Sequence, residues 1–486
     1  MGAPSYGDQN PIAAPATALS ESALAVIRTS GEGAVDRVAA VFSRPRRLRQ
    51  APGNSILHGW IQDPGGQRID EVLLSVYRAP KSYTGEEGVD ISCHGGISTV
   101  RAVMEALRGA GFRDSLPGEF TFRAFMNGKM VLTRAESVME LVSARTEPGR
   151  RRAVGRLSGA LEGEIREIKT LLVEVLAGTE LFLDYSEDDG VELSAGDEAA
   201  GRLPHRRLAE EVLGRLRVLA DSYRMEKLYR EGALVVIAGR PNAGKSSLFN
   251  RLLKEDRSIV TDIPGTTRDW IEAWISLEGI PLRLADTAGL RAPEDPPAPP
   301  AEDPIEQMGM ERSRELLRAA DLVLYLIDGT GGFTEEDAAF FRDYSPPRVL
   351  SLWNKTDAAP LPEGTPPGGV PPEKALPPGI LGISAKTGRG IPELAEAAAG
   401  ALRTLYGGPG TEAAGSPGIG TGRQRECIVR ALESLEEALD MAEREEPLDL
   451  IAPLLREGVR ALGEITGEVS TAEILDTLFS RFCVGK

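Results

Sequence analysis

The run Gly239-Arg240-Pro241-Asn242-Ala243-Gly244-Lys245-Ser246 constrains this chain more than any other segment. It follows an apolar stretch, Ala233 to Ala238, and opens an amphipathic one at Ser247-Leu248-Phe249-Asn250. A strand, a glycine-bearing turn and a helix in that order make a phosphate-binding loop. Gly239 and Gly244 let successive backbone N–H groups turn inward, Lys245 adds a point charge, and the Ser246 hydroxyl can ligate magnesium. The chain is therefore expected to bind a nucleoside triphosphate through Asn242, Ala243, Gly244, Lys245, Ser246 and Ser247.

Downstream signals select the nucleotide. Asp286-Thr287-Ala288-Gly289 ends an apolar run and would place a carboxylate near magnesium and a glycine N–H near the γ-phosphate. Asn354-Lys355-Thr356-Asp357 follows the run ending at Trp353, and Asp357 can accept two hydrogen bonds from the N1–H and exocyclic amine of guanine. Adenine offers no such pair, so GTP is expected over ATP. Ser384-Ala385-Lys386 closes the base pocket. Between loop and Asp286 lies Thr261-Asp262-Ile263-Pro264-Gly265-Thr266-Thr267-Arg268, a segment expected to order around the γ-phosphate, with Thr267 as second magnesium hydroxyl. Leu290, not glutamine, follows Gly289, so another group must position water. Arg268 is read as a surface ion-pair residue rather than an arginine finger.

At 486 residues the chain exceeds a single core, and 41% hydrophobic residues suffice to fill several. Apolar runs from Leu234 to about Leu402 alternate with helical patterns, which predicts a mostly parallel sheet flanked by helices, a Ras-like α/β P-loop domain over 231–404. Two proline-rich inserts, Pro293 to Pro304 and Pro360 to Pro378, read as surface excursions. Val154, Leu157, Leu161, Ile165, Ile168, Leu172 and Val175 recur at steps of three and four as one helical stripe, as do Ile428, Leu432, Leu435 and Leu439. The two stripes are expected to pack together, placing the P-loop domain as an insertion in an all-α domain of 130–230 and 405–486. Ser470 with Glu473 suggests a capping box for a last helix. Residues 1–129, with strand-like Val72 to Tyr77 and Val89 to Ser92, read as a separate α+β domain.

The charge of -17 argues against a broad nucleic-acid footprint, although clusters stand at Arg44, Arg46, Arg47 and Arg49 and at Arg150, Arg151 and Arg152. Three cysteines, Cys93, Cys427 and Cys483, and three histidines lie too far apart in sequence for a zinc or disulfide framework. No run is long and apolar enough to span a bilayer, and no basic region precedes a hydrophobic one at the N-terminus, so a cytoplasmic protein is expected.

The loop, the Thr261 to Asp269 segment, Ser82-Tyr83-Thr84-Gly85-Glu86 with His94-Gly95-Gly96, Pro117-Gly118-Glu119-Phe120, and terminal Phe482-Cys483-Val484-Gly485-Lys486 together resemble the MnmE (TrmE) family of tRNA modification GTPases. The resemblance implies a homodimer whose N-terminal domain, also the dimerisation domain, binds a tetrahydrofolate derivative, 5-formyl or 5,10-methylene. It implies a heterotetramer with the flavoprotein MnmG, which brings FAD, acting on C5 of the wobble uridine of certain tRNAs. It further implies potassium in place of an arginine finger, held by Asn242, Thr261, Ile263 and Thr266, with Glu306 orienting water. Arg28, Lys129 and Lys486 map onto folate positions. Asp90 stands where the family has a glutamate, and Leu19 to Ala25 replaces a glycine-rich turn. Cys483 becomes the candidate for the modification chemistry, with Cys93 and Cys427 structural. A GTPase switch in ribosome assembly is the competing reading; it would need an RNA-binding module after the P-loop domain, and none is evident. A membrane-remodelling GTPase would need a basic amphipathic segment, also missing.

Overall fold

The computed structural model describes residues 6–186, 208–255, 272–286, 314–343, 348–362, 377, 379–407 and 418–485. The chain folds as two compact units. Described residues within 1–139, 156–208 and 433–486 form the first, and those within 140–155 and 209–432 the second.

The first unit holds six strands: β1 Ile12–Pro15, β2 Ser22–Ser30, β3 Ser55–Gln62, β4 Arg68–Tyr77, β5 Gly88–Gly95 and β6 Arg113–Asp114. Their order is β3-β4-β5-β2-β1-β6, antiparallel except for the β1/β6 pair. Period-two alternation sends Val72, Leu74, Val76, Val89 and Ile91 inward against Val38, Val103 and Leu107 of the helices Ala34–Ala40 and Ile97–Gly109. Asp90 and Ser92, one residue out of phase, lie on the opposite face.

The helical stripe is two pieces. The helix Glu147–Leu157 stops, Gly159 adopts φ +97°, and a new helix runs Ala160–Ser186. A left-handed residue cannot continue a right-handed helix, so Val154 and Leu157 leave the stripe. Leu161, Ile165, Ile168 and Leu172 remain wholly buried, each contributing about 2 kcal/mol. Gly458, in the helix Leu448–Thr466, lies between Leu172 and Leu435; an added Cβ would stand 2.8 Å from Leu435. That close approach brings the two flanking helical segments together. The last helix, Ala472–Phe479, is capped by Thr471, whose hydroxyl accepts from the Ile474 N–H at 3.4 Å, and not by Ser470.

The second unit has strands β7 Ala233–Gly239, β8 Glu272–Leu277, β9 Ile280–Asp286, β10 Leu322–Asp328, β11 Val349–Asn354 and β12 Leu381–Gly382 in the order β12-β11-β10-β7-β9-β8. All pairs are parallel except β8/β9, joined by Glu278 and Gly279 at φ +48° and +79°, the two left-handed residues of a tight hairpin. Central β7 is buried on both faces, Val235 and Ile237 toward one layer and Leu234, Val236 and Ala238 toward the other. The chain leaves β7 toward β9 on one side and β10 lies on the other, so a crevice opens at the carboxyl ends of these strands.

Candidate functional site

Every described nucleotide-site residue sits at that carboxyl edge. Gly239 turns out of β7 at φ +140° and Gly244 enters the following helix at φ +98°. A side chain at Gly239 would meet the Leu326 carbonyl and one at Gly244 the Asn354 amide, so only glycine fits at either position. Asn242 stands exposed between them at φ +63°, a conformation asparagine tolerates better than most residues. The Lys245 ammonium curls back over the loop, donating to the Gly239 and Arg240 carbonyls, each at 2.9 Å. Ser246 Oγ donates to Asp286 Oδ2 at 2.9 Å, joining the hydroxyl and carboxylate that the sequence placed near magnesium. Ser247 follows, exposed, in the first turn of the helix.

Asn354 ties the two ends of the crevice. Its Nδ2 donates to the Ala243 carbonyl at 2.7 Å, and its Oδ1 accepts from the Ala385 N–H at 3.0 Å. The exposed Asp357 accepts at Oδ1 from Ser384 Oγ at 2.6 Å. That hydrogen bond, with Lys386 and Lys355 nearby, holds the Asp357 carboxyl below the usual carboxylate range. Lys355 itself bonds Asp328 at 2.6 Å, and Arg251 donates to the Ala385 and Lys386 carbonyls at 3.3 and 2.6 Å. The crevice therefore has the glycine-bordered loop with the Lys245 ammonium at one end and an ionised acceptor at the other, residue types suited to phosphate and guanine respectively.

Two supports escaped the sequence reading. Asp337, wholly buried, accepts from Arg240 at 3.2 Å, Tyr325 OH at 3.0 Å and the Thr334 N–H and hydroxyl at 2.9 and 2.8 Å. It thereby bolts the second loop residue to β10, and burial together with Asp337 pushes the Tyr325 phenol well above its ordinary pKa. Arg251 is the other; neither partner pair has a spacing that could have revealed it. Thr261, Asp262, Ile263, Pro264, Gly265, Thr266, Thr267, Arg268, Thr287, Ala288, Gly289, Leu290, Glu306 and Lys486 lie outside the described residues.

In the first unit Arg28 and Asp90 face each other across β2 and β5, Nε to Oδ1 3.3 Å. The Arg28 guanidinium lies 5.7 and 5.9 Å from the Tyr83 and Phe120 ring centres and donates to the Gly485 carbonyl at 3.4 Å. Burial raises the Asp90 carboxyl, with Arg28 opposing. Lys129, exposed, donates to the Pro80 carbonyl at 3.0 Å and lies against Gly85. The tail docks by its backbone: the Gly118 N–H donates to the Cys483 carbonyl at 3.2 Å, Phe482 packs on Phe479, and Gly485 abuts the end of β1. Cys483 is left exposed while Cys93 and Cys427 are buried. Glu86 and Glu119 are scaffold, bound by Arg123 at 3.1 and 3.0 Å, with Glu119 fully buried and also paired to Arg113. The basic triplet is paired as well: Arg150 and Arg151 with Glu147, Arg152 with Glu226. No helix among the described residues is long and apolar enough to cross a membrane.

Comparison with known proteins agrees along the whole chain. The family model described as the MnmE helical domain matches residues 132–483, and that of the GTP-binding protein TrmE N-terminus matches residues 11–129. The chain is 44% identical to the tRNA modification GTPase MnmE of Treponema denticola, with 100% of each covered. It is 40% identical to that of Treponema pallidum, again over 100% of each, and 39% to that of Geobacillus thermodenitrificans, over 98% and 99%. Glycines that nothing else could replace, an amide tying both ends of the crevice, and relatives matching from end to end lead to one conclusion: this chain belongs to the MnmE family of tRNA modification GTPases.

Proposed function

We propose that the chain hydrolyses GTP and, as a homodimer with the flavoprotein MnmG, uses that cycle to install an aminomethyl-type group at C5 of the wobble uridine of certain tRNAs. The observation that supports the GTP part is the Asn354 bridge, which ties the phosphate loop at Ala243 to the Ser384-Ala385 segment, where Ser384 binds Asp357. Lys245 binds the phosphates, Asp357 orients the base, and Asn354 fixes the distance between them.

Ser246, beside Asp286, has the hard oxygen chemistry magnesium prefers, and Thr267 is assigned as its second hydroxyl. Asn242, exposed at the loop tip, suits a monovalent cation, and Thr261, Ile263 and Thr266 are assigned with it. When bound, both ions neutralise charge developing on the β- and γ-phosphates. Glu306 orients the attacking water. In the first unit the cations Arg28, Lys129 and Lys486 take the glutamate tail of a tetrahydrofolate derivative, 5-formyl or 5,10-methylene, and Asp90 serves chiefly to hold Arg28. FAD enters with the partner, and Cys483 supplies the thiol.

Two measurements test this. GTP turnover is expected to be at least about tenfold faster in potassium than in sodium; equal rates would remove the cation assignment. Bulk tRNA from a strain lacking the gene is expected to contain wobble uridines without the C5 group, and unaltered nucleosides would refute the modification reading.

A further inference from the structure

The run Arg44-Pro45-Arg46-Arg47 serves neither site described above. Pro45 begins the short helix Pro45–Gln50, and Leu48 inside it is fully buried. Arg78 donates to the carbonyls of Leu48, Arg49 and Ala51 at 3.4, 2.7 and 3.4 Å, closing the end of the helix. Before the helix, Ser43 exchanges two hydrogen bonds with the Trp60 backbone, both at 2.9 Å. The turn is thus fixed to the sheet on both sides.

On this rigid base Arg44, Arg46 and Arg47 stand exposed beside Pro45 on an open surface. Arg49 pairs with Asp36 at 3.0 Å, but the other three have no carboxylate partner among the described residues. Three guanidiniums on one turn without carboxylate partners repel one another. The surrounding chain carries -17, yet this turn is locally cationic. Exposed charges are screened beyond about 8 Å in physiological salt, so the local sign governs what can touch the turn.

We propose that this turn is a docking surface for the phosphate backbone of RNA. The inference rests on the RNA-modifying function proposed above. Guanidinium forks match phosphate oxygens two at a time, and such bonds fix register without reading bases. The turn therefore positions the RNA, and nucleotide identity is read elsewhere.

The test uses the full chain and a fluorescently labelled, unmodified tRNA transcript carrying uridine at the wobble position, with anisotropy recorded across a salt series. The R44Q/R46Q/R47Q variant is expected to bind at least about tenfold more weakly at low salt, and its slope of log K against log salt to fall by about three, roughly one for each phosphate no longer neutralised. The R44K/R46K/R47K variant keeps the charge and is expected to keep the slope. RNA-free GTP turnover reports that each variant is folded and is expected to be unchanged. Unaltered affinity and slope in the glutamine variant overturn the proposal, as does a reduced slope in the lysine variant. Intact RNA binding with weakened capture of the flavoprotein would make the turn a protein surface and also overturn it. Failure of the unsubstituted protein to bind the transcript, with or without the flavoprotein, would bring down the underlying RNA-modifying reading as well.

Discussion

Asp357→Asn is expected to weaken GTP binding by about a hundredfold or more, measured by titration with a fluorescent GTP analogue. The carboxylate is acceptor-only, and guanine turns two N–H donors toward it. An asparagine amide answers with one acceptor and one donor group, so a guanine donor meets a donor. Xanthine carries a carbonyl where guanine carries its amine, and the same variant is expected to bind XTP better than the unsubstituted protein does. Because the Ser384 hydrogen bond holds Asp357 below the usual carboxylate range, the group stays ionised from neutrality down through mild acid. Guanine affinity at this residue is then lost only as pH falls through that lowered value. GTP affinity unchanged in the variant would refute the base-pocket assignment.

Cys483→Ser is expected to separate the two activities. The side chain is exposed, and the tail is held through the Cys483 carbonyl, Phe482 and Gly485 rather than through sulfur, so serine leaves the docking intact. GTP turnover by the purified variant is expected to match the unsubstituted protein. Modified wobble nucleosides in a strain carrying only the variant are expected to drop below about one per cent, since a hydroxyl is a far poorer nucleophile than a thiol at neutral pH. Normal nucleoside levels would take the cysteine out of the mechanism.

What the sequence made legible is what local chemistry makes obligatory. Gly239 and Gly244 announce themselves because backbone and amide atoms occupy the space of a Cβ, and the runs of β7, β9, β10 and β11 are legible because buried parallel strands tolerate little else. The helix break was less legible: Gly159 interrupts a hydrophobic rhythm that reads straight through it, and only its φ reveals the turn. Thr471 and Ser470 are equivalent caps by residue type, and the structure uses Thr471, at φ -90° and ψ 153°. The Arg28–Asp90 pair spans 62 positions and depends on the β2/β5 register; Arg240 and Asp337 are 97 apart. Such pairings are consequences of the completed sheets, and no spacing encodes them. The same is true of Glu86 and Glu119, which stand in motifs that carry the family resemblance and are both held by Arg123.

The Asn354 amide has two hydrogen bonds and both are spent on backbone, one at Ala243 and one at Ala385. A rotation of that amide to follow either loop breaks the bond to the other. On the nucleotide-site reading proposed above, purine and phosphates would be held and released together, and a partner protein that levers open either rim of the crevice would release the whole molecule.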